Sequence, residues 1–272
     1  MAVQAGGEHI QPPMLPWPTY PEHTVIQALL EHSNEFRAFY QAERGKIVGV
    51  VHWAQDSSLP EGIDYRRTIL SIDRNGTTAQ VIRLRRIPSA CDQAMAIAHE
   101  LCHLLLDAEG YPTVGAFPQF EILSAALASM IHDPLVNLRL QTYGFDLQRS
   151  YDDEVRESTR QLSAMPHAPA RSIDRLHWTF NYTGKLLDWE LLDASSDEEA
   201  HAFHAWFAGR YPSIADEAQQ LLALIRSIGY VLPAQQLLLF KEIIQHYHLE
   251  SIMSLICDAE LVANCELRGV VS

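Results

Sequence analysis

The run Ala96-Ile97-Ala98-His99-Glu100-Leu101-Cys102-His103-Leu104-Leu105-Leu106-Asp107 sets two histidines and a carboxylate one helical turn apart in an otherwise apolar stretch. Residues four apart lie on one face of an α-helix, so His99 and His103 can offer two neutral imidazoles to a single metal ion. Zn²⁺ held by two imidazoles and a third protein ligand keeps one position open. The adjacent carboxylate, Glu100, can then take the proton of a water that attacks a carbonyl. The H-E-x-x-H spacing therefore points to metal-assisted hydrolysis, with Zn²⁺ as cofactor, His99 and His103 as ligands and Glu100 as general base. Cys102 lies between the two histidines, and its expected role is packing.

A helix must carry these groups, and its ends are marked. Ser89, with Asp92 three residues on, makes a start signal close to a capping box, and Gly110 with Pro112 supplies the stop, so the expected helix is about 89–109. Ala94, Ile97, Ala98, Leu101, Leu104, Leu105 and Ala108 form one apolar stripe along it, and Met95, Cys102 and Leu106 fall with the histidines on another. Both faces are expected to be buried. Placing three polar side chains there without a common purpose is expensive, which favours a metal site over an incidental match.

Two histidines leave an ion short of ligands, so a second helix must bring a third. Residues 119–132 are helical in composition and rich in small side chains. Glu121 is the one acid among them, and a break is expected at Asp133-Pro134. Glu121 is the candidate third ligand, with His132 and Asp133 as rivals if the helices cross nearer their later ends. A short helix is expected from Pro134 to Gly144, from which Asn137, Arg139 and Tyr143 could reach the site as oxyanion donors.

Upstream, Thr24 opens an expected helix to about Glu43, with Gly45 beyond it. Lys46 to Ala54 reads as a strand, on which His52 is structural. Residues 67–73 and 78–86, flanking the turn signal Arg74-Asn75-Gly76, read as a hairpin.

The strands, the H-E-x-x-H helix and the Glu121 helix together resemble the gluzincin metallopeptidases, and within them the compact ImmA/IrrE-like group, over about residues 46–134. That group pairs H-E-x-x-H with a second helical pattern, E-x-x-A-N/D-x-F-A, ending in Pro. Glu121, Ala128 and Pro134 stand where the pattern has its Glu, its later Ala and its Pro, so the resemblance carries the ligand role to Glu121. Ser124 and Ala125 stand in place of its Ala and its Asn or Asp. The acceptor that steadies a zinc-bound imidazole must then come from elsewhere, with Asp107, His132 and Asp133 as candidates. The resemblance implies an α+β, zincin-like fold, a small antiparallel-containing sheet packed on the H-E-x-x-H helix and the ligand helix. It also implies cleavage of a regulatory protein or peptide.

Beyond residue 146 the texture is helical: a polar helix at 147–164, a linker at 165–170, and a short alternating segment at 176–182 that could be an extra strand. Three further helices are expected, the first opened at Asp197 and closed by Gly209 and Pro212, the second opened at Ser213 and closed by Gly229, and the third begun at Pro233. The expected organisation is a proline-rich leader (1–23), a zincin-like domain (24–164) and a mainly helical C-terminal part (165–272) able to meet a protein partner. His167 and His177 are weak candidates for a transition-state donor, while the pair His201 and His204 and the pair His246 and His248 lack acidic partners in a convincing pattern and are expected to be surface histidines.

A formal charge of −14, with 34 acidic against 20 basic residues in 272, argues against nucleic acid as a partner. No apolar run is long enough to span a bilayer, and no signal-peptide pattern opens the sequence. Cys91, Cys102, Cys257 and Cys265 show neither disulfide density nor zinc-ribbon spacing. Cytoplasmic location with reduced thiols is the expectation. The functional expectation is a zinc-dependent peptidase; the alternative is a zincin scaffold of little or no activity that serves as a zinc-binding regulatory module.

Overall fold

The computed structural model describes residues 17–47, 50–59, 65–71, 78–86, 88, 93–165, 167–192 and 198–257. These form two compact units, one holding the described residues of 17–37 and 50–100, the other those of 38–47 and 101–257. The chain is α+β, with small sheets and a helical C-terminal part, as expected from its patterning. The Ser89 and Asp92 cap, the turn at 74–76, Asp197, Cys91, Cys265 and most of the leader lie outside the described residues.

In the first unit, β1 (Thr19–Tyr20), β2 (Val51–Gln55), β3 (Tyr65–Ser71) and β4 (Thr78–Leu84) form one sheet of order β1-β2-β4-β3. The expected hairpin is present, β3 antiparallel to β4 with Ser71 opposite Thr78, while β2 runs parallel to β4. Trp53 and Ala54 on β2 and Val81 and Ile82 on β4 are all fully buried, so both faces of this parallel pair are covered there. The strand expected from Lys46 begins later, because Arg44–Lys46 close the preceding helix as a 3₁₀ turn.

The single helix expected to Glu43 is two, α1 (Glu22–His32) and α2 (Asn34–Glu43). Ser33 makes the break: its backbone is extended, its amide still donates to Leu29 O at 2.9 Å, and its Oγ accepts from Phe36 N at 3.1 Å. Arg37 then reaches back to Leu30 O at 2.7 Å, satisfying a carbonyl at the open end of α1. One serine thus ends one helix and caps the next, a local competition with the backbone that apolar spacing cannot reveal.

Helix α3 (Ala94–Ala108) carries the H-E-x-x-H residues. It ends as foreseen at Gly110, whose φ of +80° is left-handed: Gly110 N donates to Asp107 O at 3.1 Å and Tyr111 N to Leu106 O at 3.0 Å, the paired bonds of a Schellman stop.

In the second unit, the break expected at Asp133-Pro134 does not occur. Helix α4 runs unbroken from Glu121 to Gln141 with Pro134 inside it. Proline removes one helical hydrogen bond and costs about 3 kcal/mol. Here burial of Leu127, Ile131, Pro134, Val136 and Leu140 along the same helix offsets that cost. Helix α5 (Leu147–Ser163) begins at Asp146, whose side chain accepts from Arg149 N, as its polar pattern led one to expect.

The segment expected as a strand at 176–182 is helical, inside α6 (Ser172–Leu191). Its β-branched and aromatic residues suggest a strand locally, but Thr179, Phe180, Thr183, Leu186 and Leu187 repeat at helical spacing and bury one face. Helices α7 (Glu198–Arg210), α8 (Pro212–Ile228) and α9 (Pro233–His246) follow where their start and stop signals placed them. Helix α4 packs along α6, and its Leu127, Met130 and Ile131 share one core with Phe180, Phe203, Leu221 and Phe240. The proposed ligand helix therefore belongs with the C-terminal helices, and no division falls near residue 164. A two-stranded sheet, β5 (Thr113–Ala116) against β6 (Met253–Ile256), joins distant parts of the chain and was not anticipated. No described helix is long and apolar enough to cross a membrane.

Candidate metal centre

Along α3, His99 and His103 stand one turn apart, and each is partly exposed while Leu101 and Cys102 between them are fully buried. The third donor is Asp133 of α4. Ligand atoms of His99, His103 and Asp133 all lie within 4.8 Å of one another, the one such group of three among the described residues. His103 Nε2 is 3.3 Å from Asp133 Oδ1. A charge-assisted hydrogen bond between these groups would be about 2.7–2.9 Å. Ligands at about 2.0–2.1 Å around a tetrahedral ion are instead separated by roughly 3.3 Å. Two imidazoles and a carboxylate are also a donor set that Zn²⁺ accepts. The residues present fit a metal ion, although neither the spacing nor the donors identify which one.

Glu121 is a correction to the expected ligand set. It is the first residue of α4, exposed to solvent, and it is not in the group. Twelve residues of helix separate it from Asp133, about 18 Å along the axis, so the two cannot serve one ion. Its place in the first turn, where the helix dipole favours an acid, accounts for it. Of the two rivals, Asp133 takes the position and His132 does not. His132 is buried, its Nε2–H donates to Pro112 O at 2.9 Å, and its ring meets Phe240 edge-on at 5.8 Å and lies 6.0 Å from the ring of His103. It backs the site as a packed, hydrogen-bonded ring.

The unbroken course of α4 is what places Asp133. Had the chain turned at Pro134, Asp133 would cap a new helix with its carboxylate turned to backbone amides. Held in mid-helix, it presents that carboxylate sideways, with Oδ1 shielded from solvent.

The three residues expected as oxyanion donors are engaged elsewhere. Asn137 Nδ2 donates to Asp188 Oδ1 at 2.8 Å, Arg139 Nη2 to Glu109 Oε1 at 2.6 Å, and Tyr143 OH to Glu43 Oε1 at 2.5 Å. Burial pushes the Tyr143 phenol up to about 12, and the hydrogen bond and charge of Glu43 push the same way, so it remains a donor to that carboxylate. Burial would raise Glu43, but hydrogen bonds from Lys46 and Tyr143 and the charges of Arg139 and Lys46 hold it below the usual carboxylate range. These pairs tie α2, α3 and α4 together at the far end of α3. Burial raises the Cys102 thiol far above its ordinary range, and Cys102 is not in the group.

Among the described residues the other histidines stay outside the group, and His201, His246 and His248 are exposed as expected, but His204 is not a surface residue. His204 is buried between Tyr151 OH at 2.9 Å and Tyr182 OH at 3.1 Å and stacks on Trp189 at 4.4 Å. Asp107, one turn beyond His103, is partly buried and does not join the group. Asp188, a partly buried acid on α6 near Asp133, was not singled out by any sequence pattern. Comparison with protein-family models, with curated proteins and with solved structures returned no match, so the motif resemblance rests on the residues that carry it.

Proposed function

We propose that the protein is a zinc-dependent peptidase of zincin type, acting in the cytoplasm on a protein or peptide substrate. The observation that carries this reading is the convergence of His99, His103 and Asp133, with the 3.3 Å separation of His103 and Asp133, on a helix that also bears Glu100. The ligand set is two imidazoles and an aspartate in place of the glutamate of the gluzincins. Zn²⁺ bound there would supply Lewis acidity at an open fourth position, polarising a carbonyl and acidifying water.

The protein's own groups then do the proton work. Glu100, next to the ligand His99, accepts the proton of the attacking water and returns it to the nitrogen of the leaving amine. His99 and His103 act as neutral donors, and Asp133 brings one negative charge, so the centre would keep a net positive charge that favours carbonyl polarisation. Asn137, Arg139 and Tyr143 do not serve the oxyanion, each being held by another carboxylate.

That engagement favours a second reading, a zinc-binding regulatory module of little turnover whose C-terminal helices meet a partner. One experiment separates them. The purified chain is expected to hold one zinc per chain, lost in His103→Ala and Asp133→Asn and kept in Glu121→Gln. Cleavage across a peptide library is expected from the zinc-loaded chain and not from Glu100→Gln. Zinc without cleavage would select the second reading, and absence of stoichiometric zinc would remove both.

A further inference from the structure

Asp188 sits in surroundings that do not suit a carboxylate. A neutral amide, Asn137 Nδ2, donates to its Oδ1 at 2.8 Å. The charged and titratable groups facing it are Glu154 on α5, Asp133 on α4, Lys185 on its own helix α6, and Tyr230 between α8 and α9. Lys185 is itself paired with Glu154, so little positive charge is left for Asp188. Burial first, then the carboxylates of Glu154 and Asp133, push Asp188 up to about 7 against the pull of Asn137 and Lys185. Asn137 is oriented for this one bond: its Oδ1 is buried and takes no hydrogen bond from any described residue, an arrangement that costs stability. Asn137 also stands four residues after Asp133 on the unbroken α4, hence on the same face of that helix.

An acid held in a net negative setting, within electrostatic reach of a ligand carboxylate and hydrogen-bonded to the residue one turn beyond it, is poorly placed until a cation arrives. We propose that Asp188 is a positioning residue for the candidate metal centre: fastened by Asn137 one turn beyond Asp133, its carboxylate supplies a second negative charge that strengthens the hold of His99, His103 and Asp133 on a divalent ion. The proposal rests on the reading of those three residues as a metal site. It assigns to α6 the supporting acid that the sequence lacks at Ala125. It also couples two events by linkage. A divalent cation at the centre favours the ionised form of Asp188, so metal uptake releases a proton from it, and a lower pH opposes uptake through the same group.

The test uses the full chain, stripped of metal by chelator, with zinc ion as the probe in competition with a chromogenic chelator at pH 6 and pH 8. Asp188→Asn keeps the shape and removes the charge. It is expected to weaken zinc binding 10- to 100-fold at pH 8, and by a much smaller factor at pH 6, where Asp188 of the wild type is already largely protonated. Calorimetry at pH 7 in two buffers of different ionisation enthalpy should show fewer protons released per zinc from the variant. Asn137→Ala, reaching the same carboxylate from α4, is expected to weaken binding while keeping a pH dependence, moved to higher pH because the lowering pull of Asn137 on Asp188 is lost. Equal loss at both pH values for Asp188→Asn would mark a structural role and overturn the proposal, as would unchanged affinity in either variant. If the wild type takes up no stoichiometric zinc, or His103→Ala binds it as the wild type does, the metal reading itself fails and this one with it.

Discussion

Replacing His204 by Phe should remove a defined part of the protein's sensitivity to acid. The imidazole lies between two hydroxyls in the core, Tyr151 at Nε2 and Tyr182 at Nδ1. Tyr151 OH donates to Lys185 O at 3.2 Å, so its oxygen accepts from His204 Nε2–H, and Nδ1 is left as the acceptor for Tyr182 OH. A second ring proton would meet the Tyr182 hydroxyl, whose hydrogen already occupies that line. Burial first, then the charges of Lys185 and His201, bring His204 down to about 4. An unfolded histidine titrates near 6.5. Below that pH the unfolded chain therefore binds the proton first, and stability falls with pH until the folded value is passed. The loss from this one group is about 2 kcal/mol by pH 5 and about 3 kcal/mol by pH 4, relative to pH 7. Phe keeps the stacking on Trp189 and takes the acceptor from the Tyr182 hydroxyl, while Tyr151 keeps its bond to Lys185 O, at about 1–3 kcal/mol in neutral solution. Urea unfolding of both proteins from pH 7.5 to 4 reads the difference, in which the other titrating groups cancel. The gap should close, and then invert or vanish, as pH falls. A gap constant across the range would refute the buried, neutral imidazole.

Three further outcomes are expected. Zinc at a hundredfold excess over its dissociation constant should stabilise the chain by about 2.7 kcal/mol, raising Tm by roughly 5–10 °C in the wild type and in Glu121→Gln but not in Asp133→Asn; scanning calorimetry with and without zinc measures it. Ser33→Ala should cost about 1 kcal/mol in denaturant midpoint analysis, because the amide of Phe36 loses its cap between α1 and α2. Gly110→Ala should cost about 1 kcal/mol or more from its left-handed φ alone, since a Cβ there meets no neighbour; thermal unfolding that leaves the variant as stable as the wild type would contradict the Schellman stop.

Where the chain's elements are set by near neighbours, the sequence was legible. His99 and His103 share a face because helical spacing is local, and the strand pair around 71 and 78, the stops of α7 and α8 and the starts of α8 and α9 are written in turn residues, glycines and prolines. The helix stop at Gly110 is of the same kind. Ser33 is the instructive exception: a serine in an apolar periodicity can point to solvent or cap, and only the return of Arg37 to Leu30 makes the second choice the stable one.

The third metal donor was not legible, since it depends on which turn of α4 comes to rest beside His103. Motif spacing favoured Glu121 at the start of that helix. Packing against α6 carries α4 straight through Pro134 and brings Asp133 to the site instead. The same long-range burial turned 176–182 into helix against its local preference, paired β5 with β6 across more than half the described chain, and set Asp188 near Asp133. Sequence alone determined which two imidazoles could share an ion, because their separation is a property of one helix. Only the tertiary structure decided what completes that pair, because the approach of a second helix is settled by the apolar surface it buries and not by the residues that meet at the end.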